Sequence, residues 1–203
     1  MKEHVMKILI VGNPTVGKTS FVQQYVSGQF NKTYKTTVGV DFSVKTLQWS
    51  DNETVRLQIW DIGGLQRFYS MTRAYYRGAL GCVVMFDVTD SSSFLGCQEW
   101  KRDLDNKATL PGGAPIPGIL LANKCDLPER VVTADSIAEF SKNNGFFAWM
   151  ETSVRDNRNV DEAMRRLVQE ILSVQAREDQ LLSRKENIVD LPSGNATKRW
   201  SCC

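Results

Sequence analysis

Val5-Met-Lys-Ile-Leu-Ile-Val11 is a nearly unbroken apolar run that stops at Gly12. A short run without polar alternation predicts a strand buried on both faces, the kind found in parallel sheets. Leu80 to Val88 and Ile119 to Ala122 share that character. Phe42 to Trp49 and Val55 to Trp60 alternate instead, and Ser50-Asp-Asn-Glu-Thr54 between them predicts an antiparallel hairpin. Val160, Ala163, Met164, Leu167, Val168, Ile171 and Leu172 form an apolar stripe at helical spacing, with Asn159 and Asp161 suited to its start. Ala134 to Asn143 predicts a second helix stopped by Gly145, and Phe94, Cys97, Lys101 and Leu104 a third, less regular one. Alternating strands and helices predict an α/β, doubly wound, mostly parallel six-stranded sheet with one antiparallel strand. The periodicity fades near Ala176. Residues 1–175 are therefore expected to form one domain, and 176–203, with Leu191-Pro-Ser-Gly-Asn-Ala-Thr197, a mostly disordered tail.

Composition narrows the chemistry. The 203 residues have a net charge of only +2, which argues against a dedicated nucleic-acid binder with a concentrated basic face. Five cysteines without paired spacing predict no disulfide framework or zinc site, and Cys82 and Cys97 read as buried, reduced thiols. The single histidine, His4, lies near an end expected to be mobile, so histidine-based zinc or Ser-His-Asp chemistry is excluded. No run is long enough for a membrane span and no secretory leader is evident, so a cytosolic protein is expected.

Gly12-Asn13-Pro14-Thr15-Val16-Gly17-Lys18-Thr19-Ser20 follows the first strand, opens a helix, and matches G-x-x-x-x-G-K-[ST]. A loop with little side-chain bulk lets backbone N–H groups face phosphates, and the helix N-terminus adds positive potential. Lys18 is placed to reach the β- and γ-phosphates and to act as the catalytic cation, and Thr19 to ligate magnesium. Trp60-Asp61-Ile-Gly-Gly64 follows the third strand. There Asp61 suits a role at magnesium and the Gly64 N–H suits a γ-phosphate. Thr37 lies in a polar segment from which its hydroxyl could close over both. Asn123-Lys124-Cys125-Asp126 ends a buried strand on the side where open α/β sheets bind ligands. Asp126 can accept from the N1–H and amine of guanine, an edge adenine lacks. The Lys124 stem can lie along the ring, and Asn123 can brace the loops. Ser153, Val154 and Arg155 follow another strand and can offer a backbone N–H to the guanine O6.

In order and spacing these elements resemble the Rab branch of the Ras superfamily of small GTPases, over about residues 5 to 175. Thr37-Val-Gly-Val-Asp-Phe42, Trp60-Asp61 and Tyr75-Tyr-Arg-Gly-Ala79 are similar to Rab switch sequences. Leu47-Gln-Trp-Ser50, Trp100-Lys-Arg-Asp-Leu-Asp105 and Asn144-Gly-Phe-Phe-Ala-Trp149 are similar to the subgroup of lysosome-related-organelle and trans-Golgi members. The resemblance implies a GTP/GDP switch with Mg2+ held by Thr19, Thr37 and Asp61. It implies effector contact through Phe42, Trp60 and Tyr75, and dealings with an exchange factor and a GDP-dissociation inhibitor or escort protein. It further implies a monomer on the cytosolic face of trans-Golgi, endosomal or lysosome-related membranes, with a cytosolic pool. The terminal Cys202-Cys203 resembles the doubly geranylgeranylated end of Rabs, with Lys198 and Arg199 adding attraction to anionic lipid.

The chain departs from that pattern in two places. Gly63-Gly64-Leu65-Gln66 stands where Rabs read Ala-Gly-Gln-Glu, so the glutamine that orients the attacking water is replaced by Leu65. Slow hydrolysis and a poor response to glutamine-dependent activators are expected. Pro14 removes one N–H from the loop. A hydrolysis-deficient adaptor held in the GTP state is an alternative to the timed switch. A P-loop nucleotide kinase is a weaker one, since it leaves Asn123 to Asp126 unexplained.

Overall fold

The computed structural model of the protein describes residues 2–30, 37, 39–64 and 69–189, with backbone alone for 69–72 and 182–189. In chain order the elements are β1 (Lys2–Gly12), α1 (Lys18–Ser27), β2 (Val40–Ser50), β3 (Glu53–Ile62), α2 (Tyr69–Tyr76), β4 (Gly81–Asp87), α3 (Ser91–Lys107), β5 (Gly118–Asn123), α4 (Ala134–Asn143), β6 (Ala148–Glu151) and α5 (Val160–Val189). The strands form one sheet in the order β2-β3-β1-β4-β5-β6. Only the β2–β3 pair is antiparallel, as the alternating segments predicted.

The apolar runs are unbroken because each strand feeds two cores. Met6, Ile8 and Ile10 of β1, Val83 and Met85 of β4, and Ile119 and Leu121 of β5 pack on one face with Phe21 of α1 and Met164 and Leu167 of α5. Leu9, Val11, Val84, Phe86, Leu120 and Ala122 point the other way, onto Cys97, Trp100 and Leu104 of α3 and Ile137 of α4. Side chains alternate across a strand, so a helix on each face demands an apolar residue at every position. Helix α5 lies close against β4: a Cβ on Gly81 would fall 2.7 Å from Ile171 Cδ1. The parallel strands then deliver Gly12, Ile62, Asp87, Asn123 and Glu151 to one edge of the sheet, where the connecting loops gather.

Two expectations are corrected. His4 lies within β1, in register with Val55 and 3.5 Å from Glu53 Oε1, because β1 pairs with β3 back to Lys2. Helical backbone also continues beyond 175, to Val189. The apolar stripe ends near Leu172, but Gln175 to Glu178 are good helix formers, and Arg177 pairs with Glu170 at 2.8 Å across two turns. Residues 190–203, with Cys202 and Cys203, lie outside the described residues. Cys82 and Cys97 are buried free thiols, and burial pushes the Cys82 thiol up to about 12. Among the described residues no helix is long and apolar enough to cross a membrane.

Leu167→Ala should lower unfolding stability by about 2–5 kcal/mol, because it empties a fully buried site in the α5 core. Leu181→Ala, at a position 58% exposed, should change it by less than about 0.5 kcal/mol. Urea titrations of the two variants under matched conditions measure the contrast.

Candidate functional site: the glycine-rich loop and its neighbours

Gly12 leaves β1 at φ +146°, and a Cβ there would sit 2.2 Å from Met85 O of β4. Only glycine fits that approach. Gly17 closes the loop at φ +101°, with its missing Cβ position 2.5 Å from Asn123 Nδ2. Thr15 between them holds a left-handed φ of +66°, a costly conformation for a β-branched residue. Helix α1 begins without a side-chain cap and without an acidic residue in its first turn. Its leading N–H groups therefore have no carboxylate or hydroxyl to satisfy them.

Lys18 folds back over this loop. Its Nζ donates to Gly12 O and Asn13 O, each at 2.8 Å, and the residue is only 6% exposed. Burial lowers the ammonium to about 8, partly opposed by the Asp61 charge. Asp61, at the end of β3, is 2% exposed, and burial raises its carboxyl. Its Oδ2 accepts from Thr19 Oγ1 and, at 3.5 Å, from Thr37 Oγ1. The two threonine hydroxyls are themselves hydrogen-bonded at 2.6 Å. Asp61 Oδ1 has no hydrogen-bond partner although it is buried. A buried carboxylate with one orphaned oxygen beside two hydroxyls is a hard, all-oxygen donor set that fits Mg2+. No group of three His, Cys, Asp or Glu side chains occurs among the described residues, so a metal here would rely on hydroxyls and its own ligand for the remaining donors.

The two segments that flank this cluster touch each other through glycines. The Gly63 N–H donates to Gly39 O at 2.8 Å, and a Cβ on Gly63 would meet Thr37 O at 2.8 Å. Gly64 lies on the loop itself, its missing Cβ position 2.4 Å from Pro14 N. Leu65 and Gln66 lie outside the described residues, as do the side chains of Ser70 and Thr72. Phe42, Trp60 and Tyr75 stand side by side, with ring centroids 5.5 Å apart for the first pair and 6.4 Å for the second. Lys7 Nζ lies 3.9 Å from the Trp60 ring centroid. Phe42 is 49% exposed, so the group borders solvent.

Asn123 ties the far loops together. Its Nδ2 donates to Val16 O at 2.8 Å, and its Oδ1 accepts from Thr152 Oγ1 at 3.2 Å and Val154 N at 3.4 Å. Lys124 takes a left-handed φ of +62° and pairs with Asp87 Oδ2 at 2.6 Å. The other Asp87 oxygen accepts from Thr89 N and Oγ1 at 2.9 and 2.7 Å. Asp126 has Arg155 as a distant counter-charge, at 4.0 Å. The amides after β6 differ in how firmly they are held. Thr152 N donates to Ala122 O and Ser153 N to Arg158 O, while Val154 N holds only the long bond to Asn123. Of these three amides Val154 is the one most easily given over to a ligand.

Sequence reasoning missed Asp87, which fixes Lys124, and Trp100, whose Nε1 donates to Asn13 Oδ1 at 3.1 Å. A signal existed for Asp87: a carboxylate ending a buried strand next to the strand that ends in Asn123, with which it is in register. Trp100 gave none, being a core tryptophan in a helix.

Asn123→Ala would strand Val16 O and the Thr152 hydroxyl in a buried setting. A loss of about 2–4 kcal/mol in urea unfolding is the expected outcome.

The sequence matches the Ras family over residues 7–173. It is 52% identical to the Homo sapiens Ras-related protein Rab-7L1 over 202 residues, covering 100% of this chain and 98% of that one. The Mus musculus Rab-7L1 is 53% identical over 203 residues, with 100% and 98% covered. The Homo sapiens Ras-related protein Rab-32 is 46% identical over 190 residues, covering 93% of this chain and 83% of that one. With its doubly wound sheet, its glycine-rich loop and these matches along its whole length, the chain belongs to the Rab branch of the Ras family of small GTPases.

Proposed function

We propose that the protein is a GTP-dependent switch that regulates intracellular membrane trafficking by recruiting effectors in its GTP form, with slow hydrolysis as its timer. The observation that carries this reading is the convergence of Thr19, Thr37 and Asp61 beside the Lys18 ammonium. Three oxygens and a desolvated cation in one place match the needs of a triphosphate and its divalent ion.

In this reading the amides of residues 13–19 and the α1 N-terminus bind the phosphates, with Gly12 and Ser20 at the edges of the loop. Lys18 turns from the Gly12 and Asn13 carbonyls towards the β- and γ-phosphate oxygens. A magnesium ion held by Thr19, Thr37 and Asp61 would neutralise phosphate charge. Thr37 and Gly64 belong to the two segments that sense the γ-phosphate. Thr37 lies against Gly63, so loss of its hydroxyl contact would release both together. Asp126 accepts from the guanine N1–H and amine, the Lys124 stem lies along the ring under Asp87's hold, and Val154 N turns to O6. Arg155 holds Asp126 from outside the pocket.

Phe42, Trp60 and Tyr75 supply an apolar surface next to the γ-phosphate sensor, which suits effector docking. Leu65 leaves the attacking water without an amide to orient it, so GTP persists and activators that work through a glutamine have little to act on. Geranylgeranyl groups on Cys202 and Cys203 would anchor the chain to trans-Golgi, endosomal or lysosome-related membranes, with an escort protein or GDP-dissociation inhibitor carrying the soluble form. Two chains suit stable anchoring, since each buried methylene contributes about 0.8 kcal/mol and one chain alone binds marginally.

Asp126→Asn should weaken GTP binding by on the order of 10²–10⁴, as two charge-assisted bonds are lost. It should improve binding of xanthosine triphosphate, whose C2 carbonyl accepts from the new amide. Calorimetric titration with both nucleotides tests this, and unchanged GTP affinity would overturn the reading. For the timer, Leu65→Gln should raise activator-stimulated hydrolysis by about tenfold or more. Single-turnover phosphate release measures it, and a fast, activator-stimulated rate in the unaltered protein would remove the slow timer.

A further inference from the structure

Trp100 lies on α3, outside every segment assigned above to the nucleotide. We propose that it is a positioning residue for the phosphate loop, acting through the hydrogen bond from its indole N–H to the Asn13 side chain. This rests on the reading of residues 12–19 as the phosphate site.

The link ends on one of the two residues whose carbonyls hold the ammonium. Asn13 accepts the Trp100 N–H on its side chain at 3.1 Å and the Lys18 Nζ on its main-chain carbonyl at 2.8 Å. A rotation of Asn13 that broke the first contact would also move the second. Trp100 is 1% exposed and wedged in the core under β1 and β4, so its N–H is a fixed point.

Helix α3 makes room for the half-buried Asn13 amide. A Cβ on Gly96, one turn before Trp100 on the same helix, would lie 2.6 Å from both Asn13 Oδ1 and Nδ2. Glycine is a poor residue for the middle of a helix. Its presence here is explained by the room that the amide occupies. The loop's backbone is also met by Gly64, whose missing Cβ position lies 2.4 Å from Pro14 N and 2.6 Å from the Asn13 carbonyl carbon.

The loop needs such holding. Thr15 sits at φ +66°, and Pro14 contributes no N–H with which the loop could be fastened. The end of the loop is fastened by Asn123 Nδ2 on Val16 O, and its beginning by Trp100 on Asn13. Amides fixed before the ligand arrives bind it without reordering, and ordering costs would otherwise weaken affinity.

The test is the release rate of a fluorescent GDP from purified full-length protein, together with the thermal midpoint of each variant. Trp100→Phe keeps an aromatic side chain, smaller than the indole, and removes the N–H. Asn13→Leu removes the acceptor. Trp100→Phe and Asn13→Leu should each speed GDP release by about three- to tenfold, and the double variant no more than either. Lys18→Ala serves as the control on the site and should lose GDP binding by about 100-fold or more. If Lys18→Ala binds GDP like the parent, the phosphate-site reading itself is wrong. If Lys18→Ala fails to bind while Trp100→Phe and Asn13→Leu release at the parental rate, the site stands and the positioning role is overturned, whatever their thermal midpoints. Should Trp100→Phe not fold, Asn13→Leu decides: release at the parental rate sinks the proposal.

Discussion

A lysine ammonium confined beneath a tight loop, with backbone carbonyls as its hydrogen-bond partners, is the constraint on which the site depends. Burying a charge is unfavourable unless it is paired, and the lowering of Lys18 to about 8 expresses that cost. Asp61 experiences the same penalty with the opposite sign, since burial raises its carboxyl. The two charges feel each other but share no direct bond; Lys18 leans on carbonyls and Asp61 on hydroxyls. Such an arrangement is electrically unfinished. It would be completed by an anion at the ammonium and a cation at the carboxylate, the charge pattern of a nucleotide with its metal.

Holding two uncomfortable charges requires a frame that does not relax. Here it is a sheet whose central strands are apolar on both faces, so that shifting β1 would disturb the packing of α1 and α5 on one side and α3 on the other. Close-packed interiors resist such shifts. The glycine contacts continue the frame into the loops. At Gly12, Gly63 and Gly64, backbone meets backbone at distances that leave no room for a side chain. This explains how segments far apart in the chain report on one another: each occupies the space another would need to move into.

Much of this was legible in the chain itself, for reasons that differ by feature. Two-sided burial writes itself as unbroken apolar runs, so β1, β4 and β5 were readable, and half-burial writes itself as alternation, so the β2–β3 hairpin was too. Phosphate and guanine chemistry restricts residues at fixed local spacings, which exposed Lys18, Thr19 and Asn123 to Asp126. What stayed hidden depends on contacts between distant positions. The Trp100–Asn13 bond joins residues 87 apart, and no local spacing marks either as the other's partner. Lys124 was visible but its Asp87 counter-charge was not, since the pairing arises from strand order. His4 was placed at a loose end because β1 is drawn out by pairing with β3, a neighbour by topology rather than by sequence. The limit of α5 was missed for the opposite reason. Apolar periodicity records where a helix packs, whereas helical backbone can persist on propensity and ion pairs after packing stops.

Under the lipid anchoring proposed for the last residues, that persistence would bear on how far the body of the protein stands from a membrane. A helical residue advances the chain by about 1.5 Å, against roughly 3.4 Å when extended. Continuing α5 from 176 to Val189 therefore shortens the attainable stand-off by about 25 Å relative to an extended leash over the same stretch. It also gives that stretch a direction, because a rod continuous with the packed part of α5 cannot reorient as an extended leash can.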